Sequence, residues 1–163
     1  MTEHPLTDAE TALLRRSLDL AAAAREAGRH PFGALVADEY GEIVSEEWNN
    51  SRPPEGDPTQ HAELRAVAAA ARTLGPEQMR RVTLYASAEP CAMCAGAAYW
   101  AGVGRIVYGL AESSLLALTG AHDENPTLEL PCREVLRHGQ REVQVVGPLL
   151  EDEARRAHEG FWS

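Results

Sequence analysis

Val82-Thr83-Leu84-Tyr85-Ala86-Ser87-Ala88-Glu89-Pro90-Cys91-Ala92-Met93-Cys94-Ala95-Gly96-Ala97 passes from an apolar, β-prone run to a proline and then to small, helix-compatible residues. That change reads as a buried strand over 82–86 followed by a helix over 90–100, with two cysteines in the first turn of the helix. Downstream, Arg105 to Gly109 reads as the next strand and Glu142 to Val146 as another. Upstream, Asp57-Pro58 offers an N-cap followed by proline at the first helical position, opening a helix that runs through Ala62, Leu64, Val67 and Ala71 to Leu74-Gly75. Phe32 to Ala37 and Ile43 to Trp48 flank the turn Asp38-Glu39-Tyr40-Gly41 as a hairpin. Thr7-Asp8-Ala9-Glu10 has the form of a capping box, and Leu13, Leu14, Leu18 and Ala21 recur at helical spacing until Gly28, giving a first helix over 8–27. Glu151-Asp152-Glu153 ahead of Arg155-Arg156 has the charge order favoured along a helix dipole. Strands alternating with helices imply an α/β layered fold with a largely parallel sheet.

The chain has 163 residues, a length that fits one domain spanning 1–163. At 44% hydrophobic and 25% charged residues the composition is that of a globular protein and excludes a disordered tail, a fibrous repeat or a disulfide scaffold. The formal charge of −10 lacks the positive field that draws proteins onto nucleic acid, so polyanionic partners start at a disadvantage. The polar start Met1-Thr2-Glu3-His4-Pro5 and the absence of any apolar stretch approaching about 18 residues point to a cytoplasmic protein with no membrane partner. The alanine runs 21–24 and 68–71 lie among Leu, Arg and Val at helical spacing and read as helix packing surfaces. The densest loop signal is Ser51-Arg52-Pro53-Pro54-Glu55-Gly56-Asp57.

Chemistry concentrates in His61-Ala62-Glu63 and in Pro90-Cys91-Ala92-Met93-Cys94. Two thiolates and an imidazole suit zinc, and three protein ligands leave its fourth position for water, the arrangement of a catalytic site. Cys91 and Cys94, at i and i+3, share the first turn of a helix, where free N–H groups and the positive dipole end favour thiolates. Glu63 stands two residues from His61, and residues two apart on a regular helix diverge, so their convergence requires an irregular first turn. A converged Glu63 would be the general acid/base beside the metal. A lone Cys-x-x-Cys is also found in redox pairs and zinc ribbons; here Cys132 is the one other cysteine, and nothing beside it resembles a second half-site. Cys132 reads as an apolar filler.

His-x-Glu followed by Pro-Cys-x-x-Cys is the signature of zinc base deaminases. With His30-Pro31-Phe32-Gly33-Ala34, Trp48-Asn49-Asn50, Asp57-Pro58-Thr59-Gln60-His61-Ala62-Glu63 and the stretch from Ser87 to Ala97, the chain resembles the cytidine-deaminase-like superfamily over most of its length. Within it, the resemblance is to the branch of guanine deaminases and tRNA adenosine deaminases. It implies a three-layer α/β/α sandwich with a five-stranded mixed sheet, a homodimer, and one Zn2+ per chain on His61, Cys91 and Cys94, with Glu63 as proton shuttle. It also implies substrate contacts from Phe32, Asn49, Ala62, Trp100 and Asp123.

Tyr99-Trp100 resembles the nucleobase enzymes more than the tRNA enzymes, and Asp123 lies near where guanine deaminases carry a carboxylate acceptor. The expected function is therefore zinc-dependent hydrolytic deamination of guanine or a related amino-purine or triazine. A tRNA adenosine deaminase and a cytosine or cytidine deaminase are the alternatives, and a zinc-stabilised scaffold has no use for Glu63. Phe32 and Trp100 read equally as packing, Trp48 as core, and Phe161-Trp162 as a helix anchor or a pocket-closing tail. His4, His30, His122, His138 and His158 read as surface or hydrogen-bonded histidines.

Overall fold

The computed structural model describes residues 5–120 and 122–163; the reading of His4 lies outside them. Helix α1 spans Asp8–Glu26 and opens on the expected capping box, with Glu10 N–H on the Thr7 hydroxyl and the Glu10 carboxylate on Thr7 N–H. Strands β1 (Gly33–Ala37) and β2 (Ile43–Trp48) form the hairpin. Then follow α2 (Ala62–Thr73), α3 (Pro76–Met79), β3 (Thr83–Ala88), α4 (Ala92–Ala101), β4 (Arg105–Leu110), α5 (Glu112–Thr119), α6 (Cys132–Leu136), β5 (Gln144–Val146) and α7 (Glu151–Ala154). A 3-10 turn over Arg155–His158 leads into the C-terminus.

The five strands form one sheet in the order β2-β1-β3-β4-β5. β1 runs antiparallel to both β2 and β3, whereas β3, β4 and β5 are mutually parallel. The sheet is thus mixed, as the resemblance implies, and not largely parallel as alternation alone suggests. The reason is topological: α2 carries the chain from β2 to a parallel β3, and the hairpin's first strand lies between them.

Side chains alternate between two cores. Ala34, Val36, Leu84, Ala86, Ile106 and Tyr108 pack with α2, α4 and α6, while Leu35, Ala37, Tyr85 and Val107 pack with α1. Ala66 and Ala70, or Ala21 and Ala24, occupy the buried faces of their helices, and their small size lets helix and sheet approach closely. Gly33 marks one such close approach of α1 to β1, since a Cβ there would sit 2.5 Å from Leu20 Cβ and 2.5 Å from Ser17 O. Cys132 is fully buried, as an apolar filler should be. Among the described residues, no helix is long and apolar enough to cross a membrane.

Two parts of the chain differ from expectation. Helix α2 begins at Ala62, four residues after Pro58, because Asp57 is spent on a turn: its carboxylate accepts the Thr59 N–H at 2.8 Å and the Thr59 hydroxyl at 2.5 Å. The short helices α3, α5 and α6 are additional to the elements read from periodicity, since runs of four to eight residues offer it too few repeats.

Candidate active site

The delayed start of α2 builds the site. His61 is the N-cap, with extended backbone (φ −70°, ψ 151°), and Glu63 is the second residue of the helix. Because His61 stands outside the helix, the divergence expected of residues two apart does not apply, and both side chains turn toward α4. There Cys91 is the N-cap (φ −65°, ψ 172°), and its carbonyl closes the first turn on Ala95 N–H at 2.8 Å, which brings Cys94 round beneath it.

One ligand atom each from His61, Cys91 and Cys94 lies within 4.8 Å of the others. Cys91 Sγ is 3.6 Å from His61 Nδ1. A tetrahedral ion with Zn–S of about 2.3 Å and Zn–N of about 2.0–2.1 Å separates S and N by about 3.6 Å, so the donor set and its spacing fit zinc. Cys94 donates its thiol proton to Glu63 Oε2 at 3.7 Å, which places the carboxyl at the edge of this triangle. The Cys94 hydrogen bond, helped by His61, pulls the Cys91 thiol down to about 4. Burial pushes the Glu63 carboxyl up to about 7, into the range where a group both takes and returns protons near neutral pH.

A cavity of about 540 Å3 opens over the triad, walled by His30, Phe32, Asn49, Glu63, Glu112 and Asp123 among others. Asn49 is almost wholly buried, Phe32 half-buried, and Asp123 exposed on the outer wall. That wall is held by an ion pair from Arg52 to Glu124 at 3.2 Å. Ala62 is buried in the core against the sheet and is not a cavity residue. Trp100 is not one either: it is 86% exposed, with its ring against Tyr99. Helix geometry explains this, because Ala95 and Ala98 face the core and a residue two positions beyond Ala98 is turned about 200° away.

Glu112 escaped the sequence reading. It opens α5 in a stretch, 111–127, that carries no periodic signal, yet its carboxyl faces the cavity. Burial, with the Glu89 charge second, pushes it up to about 7. Glu89 itself is structural, its two oxygens accepting the backbone N–H of Glu112 at 3.1 Å and of Cys132 at 2.9 Å. Glu89 thereby fixes where α5 and α6 begin.

The C-terminal tail backs the cavity. Arg25 on α1 donates to the carbonyls of Ala157 and Glu159 and lies over the Phe161 ring. Trp162 packs against His30 and Phe32, and its indole N–H donates to His158 Nδ1 at 3.1 Å. The aromatic pair is therefore at once an anchor on α1 and a support behind two cavity residues.

Over residues 7–110 the sequence matches the family described as the cytidine and deoxycytidylate deaminase zinc-binding region. It is 40% identical over 162 residues to a probable cytosine deaminase of Schizosaccharomyces pombe, covering 99% of this chain and 98% of that one. It is also 40% identical over 111 residues to the guanine deaminase of Bacillus subtilis, covering 68% of this chain and 69% of the relative. Among solved structures, the guanine deaminase of Nitrosomonas europaea superposes with a TM-score of 0.76 at 26% identity, covering 98% of this chain and 88% of that one.

Proposed function

Because the chain belongs to the cytidine and deoxycytidylate deaminase family, we propose that it removes an exocyclic amino group hydrolytically from a free nucleobase, and that guanine is the base its cavity suits best. The observation that carries this reading is the carboxylate of Asp123 in the wall of a cavity that also holds His61, Glu63 and Cys91. Guanine carries an N1–H and a 2-amino group side by side, and a carboxylate accepts from both.

In this reading His61, Cys91 and Cys94 hold zinc. When bound, zinc supplies the Lewis acidity that makes a water nucleophilic near neutral pH. With zinc held there, Glu63 would move two protons, the first from the attacking water to the ring nitrogen and the second from the new C–OH to the departing amine, so that the C–N bond breaks, ammonia leaves and a carbonyl replaces the amino group. Asn49 contacts the base edge, Phe32 packs on the base, and the acidic surface of the whole chain disfavours a tRNA substrate.

Cytosine is the second reading, favoured by the 40% identity to the probable cytosine deaminase over 99% of this chain. The discriminating experiment measures ammonia release from guanine, cytosine, adenine, their nucleosides and a tRNA stem-loop. Guanine should be consumed fastest, and Asp123→Asn should lower its kcat/KM by roughly 10- to 150-fold, the worth of a lost hydrogen bond to a charged group. Cytosine turnover with guanine ignored would overturn the substrate and leave the deamination chemistry standing.

A further inference from the structure

Asn49 Oδ1 accepts two hydrogen bonds from one residue, the Ser51 backbone N–H at 2.9 Å and the Ser51 hydroxyl at 2.7 Å. A backbone N–H only donates, so the amide atom facing it is the oxygen, and the orientation of the Asn49 side chain is fixed. The Ser51 hydroxyl has a single proton and spends it on Oδ1. Ser51 Oγ then meets His30 Nδ1, 3.3 Å away, as an acceptor, an arrangement that requires the His30 proton on Nδ1. The side chain is 9% exposed, and burial, with the Arg52 charge second, holds its pKa below the ordinary value, so it is neutral near pH 7. His30 Nε2 is then a bare acceptor with no hydrogen-bond partner, and Glu124 Oε2, itself an acceptor, is 3.8 Å off.

We propose that His30 and Ser51 are positioning residues: His30 Nδ1–H holds Ser51 Oγ, Ser51 holds Asn49 Oδ1, and the chain of bonds turns the Asn49 amino group, which only donates, toward the cavity. The base must then present an acceptor at that edge, a carbonyl oxygen or an unprotonated ring nitrogen. A base with an N–H or amino group there meets donor against donor and is rejected, because a buried polar group left unpaired is costly. The inference rests on the nucleobase reading above and narrows it to one edge of the substrate.

The first readout is independent of any substrate. Long-range 15N–1H correlation spectra of the zinc-loaded protein report which ring nitrogen of His30 holds the proton. The expected result is the Nδ1–H form, lost toward the Nε2–H form in Ser51→Ala and retained in Ser51→Thr, which keeps the hydroxyl. The second readout is kinetic, with whichever base the ammonia assay finds to be turned over. Ser51→Ala should raise KM by about 3- to 10-fold with kcat within about twofold, and Ser51→Thr should restore KM. A wild-type His30 protonated on Nε2, or a tautomer indifferent to Ser51→Ala, overturns the relay. The expected tautomers with an unchanged KM in Ser51→Ala overturn its role in presenting Asn49. A protein that deaminates none of the bases defeats the nucleobase reading, and the spectra still decide the relay.

Discussion

Glu63 is held beside three soft or borderline donors without being one of them. Its Oε2 accepts from the Cys94 thiol, and burial raises the carboxyl to about 7. Glu63→Gln keeps the volume and the hydrogen-bonding oxygen and removes the ability to carry a proton. Zinc content should stay near one per chain while turnover falls at least about 10²-fold, the low end of what a positioned acid/base contributes. Cys91→Ala, by contrast, should lose zinc and activity together. Metal analysis beside the ammonia assay separates the two, and a zinc-loaded Glu63→Gln protein with near-native turnover would place the shuttle elsewhere. The residue types and their order were legible in the sequence, because His-x-Glu and Pro-Cys-x-x-Cys leave few other readings. That His61 and Glu63 face one way was not legible, since it depends on Asp57 turning its carboxylate onto Thr59 and so postponing the helix. Nor could the sequence show that Trp100 faces solvent, because an aromatic pair at 99–100 does not reveal which of its members the helix buries.

Among the elements, the long ones were legible, as were β5 from its apolar run and α7 from its charge order, whereas α3, α5 and α6 were not. α1, the β1–β2 hairpin, β3, α4 and β4 carry enough turns or alternations to declare their period. α5 and α6 owe their starts to the two oxygens of Glu89, a contact between distant residues that no local pattern encodes. The packing of α1 on β1 is similarly invisible in sequence yet depends on one side chain being absent. Gly33→Ala would put a methyl 2.5 Å from backbone and Cβ atoms of α1, so one of the two elements must shift. Overpacking of this kind costs about 1–3 kcal/mol, and the urea midpoint of the variant should fall accordingly with its slope unchanged. An unaltered midpoint would mean that α1 rides on the sheet more loosely than its buried alanines indicate.

At the scale of the whole molecule, the tail ties the last residues to α1 and to the cavity wall, and a buried histidine makes that tie sensitive to acid. Burial, with the Arg25 charge second, pulls His158 down to about 4 in the folded protein, against an ordinary value of 6.5. Above 6.5 neither state is protonated there and its contribution to stability is complete. As pH falls from 6.5 toward 4 the unfolded chain binds a proton that the folded one does not, so stability declines through that window. Between pH 7 and pH 5 the loss is about 2 kcal/mol. His158→Gln should flatten this part of a denaturation-against-pH series, and equal slopes for the two proteins would show that His158 does not titrate in this way. The residues of the site fall into two classes by where they stand. The proposed metal ligands and Glu63 sit at the first turns of α2 and α4, locked to the sheet, whereas Asn49, Ser51, Arg52 and Asp123 to Asn125 come from segments between elements. Loops exchange residues without unpacking a core. Substrate preference in such a scaffold can drift while the reaction is inherited intact, and a mutant library confined to 49–53 and 122–128 would search among bases without putting the hydrolytic machinery at stake.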